Sequence, residues 1–145
     1  KKAAVDYVAD LQAQEDFRAF DKALRSDKNY ALAYGLANKM LKGPTWDNAD
    51  YLNGIAWMIV NPKGGVEKKD LDLAMKAAAR ANELTGDKDA GTIDTLARVY
   101  FLKGDHAKAI ALQTRAVALA EKAGNDKMTE ALRETLKEFQ GSGAN

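Results

Sequence analysis

The sequence has no cysteine, two prolines and a single histidine among its 145 residues. Without cysteine the chain forms neither disulfides nor thiolate metal sites, and one histidine does not complete the usual zinc ligand set. For that histidine, His106, we expect a packing or surface role at the start of a helix. We therefore predict no cofactor, no metal and no enzymatic activity. Catalysis by a carboxylate pair stays open as an alternative because acidic residues are plentiful.

The sequence also lacks an excess of either charge and any long hydrophobic run. It has 22 basic and 21 acidic residues, which are interspersed and give a net charge of +1. Nucleic-acid binders usually carry a basic stripe, and binding to anionic membranes needs a basic cluster. The longest apolar run, residues 55–60, is far shorter than the roughly 20 residues of a membrane span. We predict neither nucleic-acid binding nor membrane insertion.

The start of the sequence carries no visible signal peptide. It opens with "KKAAVDYVAD" rather than with methionine, which suggests a processed or trimmed piece of a longer protein. The length fits one domain that buries about 70% of the surface of its unfolded chain. The many alanines favour helix throughout.

Two helical patterns are separated by a Gly-Asp pair in the stretch "DTLARVYFLKGDHAKAIALQTRAVALA" (94–120). Gly104 can end the first helix in the left-handed conformation, and the carboxylate of Asp105 can cap the second. The pattern predicts a helical hairpin in which small alanine side chains let the two backbones cross closely. The apolar positions of this hairpin are Leu96, Ala97, Tyr100, Phe101, Ala109, Ile110, Ala116, Val117 and Leu119.

A second copy of this pattern lies upstream, in residues 51–60 and 71–84. The second helices of the two copies are offset by 35 residues, and the first helices by 41. The difference is an insertion in the turn "NPKGGVEKKD" (61–70), where Asn-Pro and Gly-Gly break the chain. The sequence therefore contains an imperfect repeat of about 35 residues. The matching positions are Ile55, Ala56, Ile59, Ala74, Met75, Ala81 and Leu84.

The flanking segments complete an all-α domain of seven helices. We predict a single domain over 1–145: a degenerate N-terminal hairpin (1–45), a repeat with the turn insertion (47–84), the best repeat (90–121) and a capping helix (126–140). The capping helix would cover the last apolar face of the stack. Its apolar stripe is Met128, Leu132, Leu136 and Phe139, and the stripe of the first helix is Ala13, Phe17, Phe20 and Leu24.

The motifs Leu-Ala-x-x-Tyr, Gly-Asp, Ala-Ile and Ala-Val-x-Leu in residues 96–119 resemble the tetratricopeptide repeat, a helical hairpin of 34 residues. Ile93 stands where the family usually has Trp, Gln113 stands where it has an aromatic residue, and no Pro closes either unit. The resemblance implies a right-handed stack of about three hairpins plus the capping helix. It also implies a concave groove that binds a protein or peptide.

The same resemblance implies five groove residues. Asn53 and Trp57 of one repeat would lie beside Asp94, Arg98 and Phe101 of the next, and together they could hold an extended peptide through hydrogen bonds and apolar contact. The alternative interpretation is structural. Trp57 would then pack against the first hairpin, and Asp94 and Arg98 would form a surface pair that contributes about 0.3–0.5 kcal/mol.

Four further segments resemble the helical module that follows a thioredoxin-like domain in some exported bacterial redoxin proteins: "LNGIAW" (52–57), "DTLARVYFLKGD" (94–105), "AIALQTRAVALA" (109–120) and "LRETLKEF" (132–139). This resemblance implies a covalently linked thioredoxin-like domain that carries the redox cysteines, and a periplasmic or exported location. Apart from it, the sequence does not indicate a compartment. We expect a non-catalytic interaction module, with a structural spacer or buttress for an adjoining redox domain as the alternative.

Overall fold

The computed structural model describes residues 2–143, and these residues form an all-helical chain without strands. Lys1, Ala144 and Asn145, which the predicted domain includes, lie outside the described residues. The prediction of an all-α chain is confirmed. Within residues 2–143 there are seven α-helices: α1 (Lys2–Asp21), α2 (Tyr30–Leu41), α3 (Ala49–Val60), α4 (Leu71–Leu84), α5 (Ala90–Leu102), α6 (His106–Lys122) and α7 (Asp126–Gly143).

Two short helical segments connect the first three helices. A π-helical turn, Lys22–Ser26, continues α1, and a 3-10 helix, Pro44–Asp47, lies between α2 and α3. Phe17 of α1 approaches α3 at Gly54, where an added Cβ would lie only 3.0 Å from Cζ of the Phe17 ring. Gly54 therefore lets the aromatic ring of α1 lie directly on the backbone of α3.

The predicted Gly-Asp turn joins α5 and α6. Gly104 has a φ of +92°, and the Asp105 side chain accepts a hydrogen bond from the backbone N–H of Lys108 at 3.1 Å. The same device joins α6 and α7, where Gly124 has a φ of +74° and Asn125 caps the next helix. Because a left-handed residue followed by a side-chain cap reverses the chain in a few residues, α5 and α6 pack side by side as an antiparallel pair.

The alanines that the repeat pattern singles out are buried. Ala97 of α5 and Ala109 of α6 are both fully buried and share a cluster with Phe139 of α7. In the upstream pair, Ala74 and Ala81 are fully buried as well. A methyl group is the largest side chain that fits between closely packed helices, so these positions fix the spacing of each pair.

The insertion 61–70 folds back onto α2. The hydroxyl of Tyr30 accepts a hydrogen bond from the backbone N–H of Glu67 at 3.0 Å. The hydroxyl of Tyr34 donates to the carbonyl of Lys68 and accepts from the N–H of Asp70. Val66 is buried in the main core cluster. The insertion is therefore part of the packed structure and connects the first hairpin to α4.

The helices pack in chain order. The pair α3 and α4 contacts α5 through both of its helices, α5 pairs with α6, and α7 packs on α6. The 3-10 helix is joined to α4 by Arg80, which donates to the carbonyl of Trp46 at 3.0 Å and to the carboxylate of Asp47 at 2.8 Å. One core runs from α1 to α5, and smaller clusters extend it beneath α7.

Candidate functional site

Asn53 and Trp57 lie one turn apart on α3, and both are half-buried. The Asn53 Oδ1 atom is buried and accepts no hydrogen bond from any described residue. The Trp57 side chain packs against the core cluster that runs from α1 to α5. Trp57 is half-buried, and the exposed part of its side chain leaves a surface next to the Asn53 amide.

Arg98 lies beneath α7 rather than on an open surface. It is 6% exposed, and its guanidinium donates to both carboxylate oxygens of Glu138 on α7, the second at 3.4 Å. The guanidinium carbon lies 4.8 Å from the ring centre of Phe139, a distance at which a cation and an aromatic ring attract each other. Arg98 thus attaches the end of α7 to α5 by charge and by stacking.

The Asp94 carboxyl takes part in a hydrogen-bond relay that runs from α5 through Gln113 of α6 to α7. Its Oδ1 accepts from Nε2 of Gln113 at 2.8 Å, and the same Nε2 donates to the carbonyl of Leu132 on α7 at 3.2 Å. Burial raises the pKa of Asp94, although the hydrogen bond from Gln113 and the positive charge of Arg98 act in the opposite direction. The interpretation of Asp94 and Arg98 as a surface pair is wrong, because Arg98 is buried and pairs with Glu138 instead.

The relay gives a physical reason for Gln113, at the position where the predicted tetratricopeptide pattern would have an aromatic residue. The side chain is fully buried, and its amide joins α5 to the backbone of α7. An aromatic ring cannot donate these two hydrogen bonds. The other departure, Ile93, is fully buried and packs with Leu132 and the alanines of α6.

Phe101 lies between two rings. Its centroid is 4.5 Å from that of Phe139 and 4.8 Å from that of His106, and both pairs are stacked. His106, for which we expected a packing or surface role, is half-buried at the start of α6. Phe101 is half-buried, so it contributes mainly to the contact between the α5–α6 turn and the end of α7.

The five predicted groove residues therefore fall into two groups. Asp94, Arg98 and Phe101 come together beneath α7, and Asn53 and Trp57 lie on α3. Sequence reasoning missed Glu138, which binds Arg98 from outside the apolar stripe of α7. A glutamate on an otherwise amphipathic helix gives no sequence signal of a partner 40 residues away.

Comparison of the sequence with protein-family models finds no matching family, and comparisons with curated proteins and with solved structures find no significant match. The tetratricopeptide and redoxin-module resemblances therefore stay predictions. In residues 2–143, no three His, Asp or Glu side chains are grouped as metal ligands would be. None of the helices described here has both the length and the hydropathy needed to cross a membrane.

Proposed function

We propose that this chain is a non-catalytic module that binds an extended protein or peptide segment on the concave side of a right-handed, tetratricopeptide-like stack of hairpins. The packing of α5 against both helices of the preceding pair supports the stack, as does the packing of α7 on α6. The buried alanines of the two pairs, Ala74 with Ala81 and Ala109 with Ala116, support it as well, because they stand at equivalent places in both copies.

The observation that carries the proposal is the pair Asn53 and Trp57. A buried acceptor without a donor costs about 1–3 kcal/mol, and the Asn53 Oδ1 atom has no donor among residues 2–143. A rotamer change of the half-buried Asn53 side chain would bring this oxygen to the surface, and a backbone N–H of an extended peptide would then satisfy it. The half-exposed indole one turn away offers apolar contact and an N–H donor to the same segment.

Asp94, Arg98 and Phe101 have a different part in this proposal. All three touch α7 or its hydrogen-bond relay, so a peptide would reach them only after the end of α7 had moved. We therefore assign the primary peptide contacts to Asn53 and Trp57. The three residues of α5 hold α7 in place and so keep the last hairpin covered.

A carboxylate-dependent enzyme is the weaker proposal. The partly buried carboxyl of Asp94 is engaged by Gln113, and the carboxylate of Glu138 is engaged by Arg98. Two acids with fixed structural partners are poorly placed to exchange protons with a substrate.

The test is selection of peptides from a random library on the immobilised chain, followed by affinity measurements with the selected peptides. Asn53→Ala should weaken binding about tenfold, the loss expected for removing one central polar contact. The same substitution should leave the melting temperature unchanged or raise it, because it removes an unpartnered buried oxygen and introduces a better helix former. A residue with a purely structural role would not combine these two effects.

The matched control is Asn38→Ala on α2, where the exposed asparagine side chain donates to the carbonyl of Tyr34 at 2.9 Å. This variant should bind the selected peptides like the unaltered chain. Trp57→Phe should weaken binding while preserving most of the packing. Unchanged affinity in both the Asn53 and the Trp57 variants would refute the proposal.

A further inference from the structure

One acidic and one aromatic side chain attach the last part of α7 to α5. Phe139 is the one buried side chain among residues 137–141. Its ring stacks on that of Phe101, with the ring centres 4.5 Å apart. The neighbouring Glu138 is exposed over 46% of its side chain and pairs with the guanidinium of Arg98. The attachment of this part of α7 therefore depends on a carboxylate and an adjacent ring.

The side chains that receive this carboxylate and this ring belong to α5 and α6. Ala97 and Ala109 are fully buried and share a cluster with Phe139, and their small methyl groups leave space for the ring. Arg98 is 6% exposed, and its guanidinium carbon lies 4.8 Å from the centre of the Phe139 ring. A buried cation thus lies beside an apolar space. We call the set Ala97, Arg98, Phe101 and Ala109 the α5 site.

Helix α7 leaves part of the Arg98 guanidinium unused. Glu138 accepts hydrogen bonds from Nη1 and Nη2, whereas the buried Nε has no acceptor among residues 2–143. A guanidinium has five N–H donors, and a buried donor without a partner is unfavourable. A ligand that adds one further acceptor, such as a backbone carbonyl beside its carboxylate, would satisfy Arg98 better than α7 does.

The α5 site also restricts what can replace the end of α7. Withdrawal of Glu138 would leave the buried Arg98 cation without a counter-ion, which is strongly unfavourable. Withdrawal of Phe139 would leave an empty apolar space between alanines, which is unfavourable as well. The end of α7 therefore stays in place by itself, and a replacement must supply both a carboxylate and a ring.

We propose that the α5 site binds a partner-protein segment in which an acidic residue adjoins an aromatic one, and that Glu138 and Phe139 occupy the site as an internal mimic of that segment. The partner displaces the end of α7, which covers the site again when the partner leaves. The carboxylate of the partner pairs with Arg98, its ring fills the space of Phe139, and a backbone carbonyl accepts from Nε. The site is separate from Asn53 and Trp57, so it does not depend on peptide binding by those residues.

The test uses fluorescent synthetic peptides with the same flanking sequence and a central Glu-Phe, Lys-Phe or Glu-Ala pair. Fluorescence anisotropy should show that only the Glu-Phe peptide binds the full chain. Phe139→Ala vacates the site, so this peptide should bind the variant at least about tenfold more tightly, because the end of α7 no longer competes. Glu138→Gln should shift the affinity in the same direction, and it replaces Phe139→Ala if that variant does not melt cooperatively. Arg98→Lys keeps the charge but loses the planar fork, and it should weaken binding about tenfold.

The displacement itself can be followed by amide hydrogen exchange. When the Glu-Phe peptide binds the unaltered chain, the backbone amides of residues 137–141 should exchange faster with solvent, because the end of α7 has left α5. Unchanged or slower exchange would overturn the proposal, since the peptide would then bind without displacing α7.

Met128→Ala is the matched control, since Met128 is a half-buried apolar residue at the start of α7. It should leave the affinity for the Glu-Phe peptide unchanged, as should Trp57→Phe, which changes the other site. Equal affinities of the unaltered chain and the Phe139→Ala variant would overturn the proposal, as would equal binding of the Lys-Phe peptide. A dimer of the unaltered chain that Phe139→Ala abolishes would show that a second copy supplies the ring, contrary to the proposal.

Discussion

Replacement of Asp94 by asparagine tests the buried relay beneath α7. Burial raises the pKa of this carboxyl above its ordinary value near 3.8, so the folded chain holds the proton more tightly than the unfolded chain does. The stability contributed by this group is therefore present at low pH and is lost as the pH rises from about 3.8 through the raised pKa. At neutral pH the ionised Asp94 carboxylate therefore lowers the free energy of unfolding. A neutral amide at the same position does not carry this desolvation cost.

The size of the expected change in the free energy of unfolding follows from the hydrogen bonds of Gln113. Its Nε2 already donates to Asp94, while its buried Oε1 has no donor among residues 2–143. An asparagine at position 94 keeps the first bond and brings an N–H₂ donor for the free oxygen. One additional buried hydrogen bond contributes about 0.5–1.5 kcal/mol, so we expect Asp94→Asn to raise the free energy of unfolding by about this amount at pH 7.

The assay is urea unfolding of the unaltered chain and the variant at neutral pH and below the ordinary carboxyl pKa. The increase in the free energy of unfolding should vanish at the acidic pH. There Asp94 is protonated in both the folded and the unfolded chain, and in the folded chain it can itself donate a hydrogen bond to Gln113. Glu130→Gln, at an exposed carboxylate of α7, is the control and should change stability by less than about 0.5 kcal/mol. Destabilisation by Asp94→Asn at neutral pH would refute the reasoning, because the attraction between Asp94 and Arg98 would then outweigh the cost of burial.

Three further predictions can be checked by the same unfolding measurements. Ala109→Leu should overpack the crossing of α5 and α6 and cost about 1–3 kcal/mol; unchanged stability would show that this position is not a close contact. Gly35→Ala has open space around the new methyl group and should stabilise α2 by about 0.5–1 kcal/mol. Gly54→Ala should gain less or destabilise the chain, because its Cβ meets an aromatic ring at 3.0 Å; equal gains in the two glycine variants would contradict this. Glu138→Gln should cost about 1–3 kcal/mol by weakening the charged hydrogen bonds of the buried Arg98, and a loss below about 0.5 kcal/mol would show that α7 does not need this pair.

Local features of the fold could be predicted from the sequence because their causes are local. Gly104 and Asp105 end one helix and cap the next with groups that lie within a few residues of each other. The spacing of Ala97 and Ala109 likewise indicates which helix faces meet. Burial of both alanines confirms that expectation.

Contacts between distant segments could not be predicted in the same way. Glu138 reaches Arg98 across 40 residues, and this depends on how α7 is rotated on α6, which a pattern of apolar spacings fixes only coarsely. The insertion 61–70 looks like a surface turn in the sequence, yet it is bound by the hydroxyls of Tyr30 and Tyr34. A tyrosine on a helix face predicts burial of its ring, but it does not predict which backbone its hydroxyl will meet.

The most direct test of the peptide-binding account uses the two tryptophans of the chain. Their indole N–H groups give two resonances in a nitrogen–proton correlation spectrum, and the ring of Trp46 is covered by Arg80 at 5.2 Å. Addition of a library-selected peptide should shift the Trp57 resonance along a saturable curve and leave the Trp46 resonance in place. A shift of Trp46 alone, or of neither resonance while the peptide binds, would contradict the account.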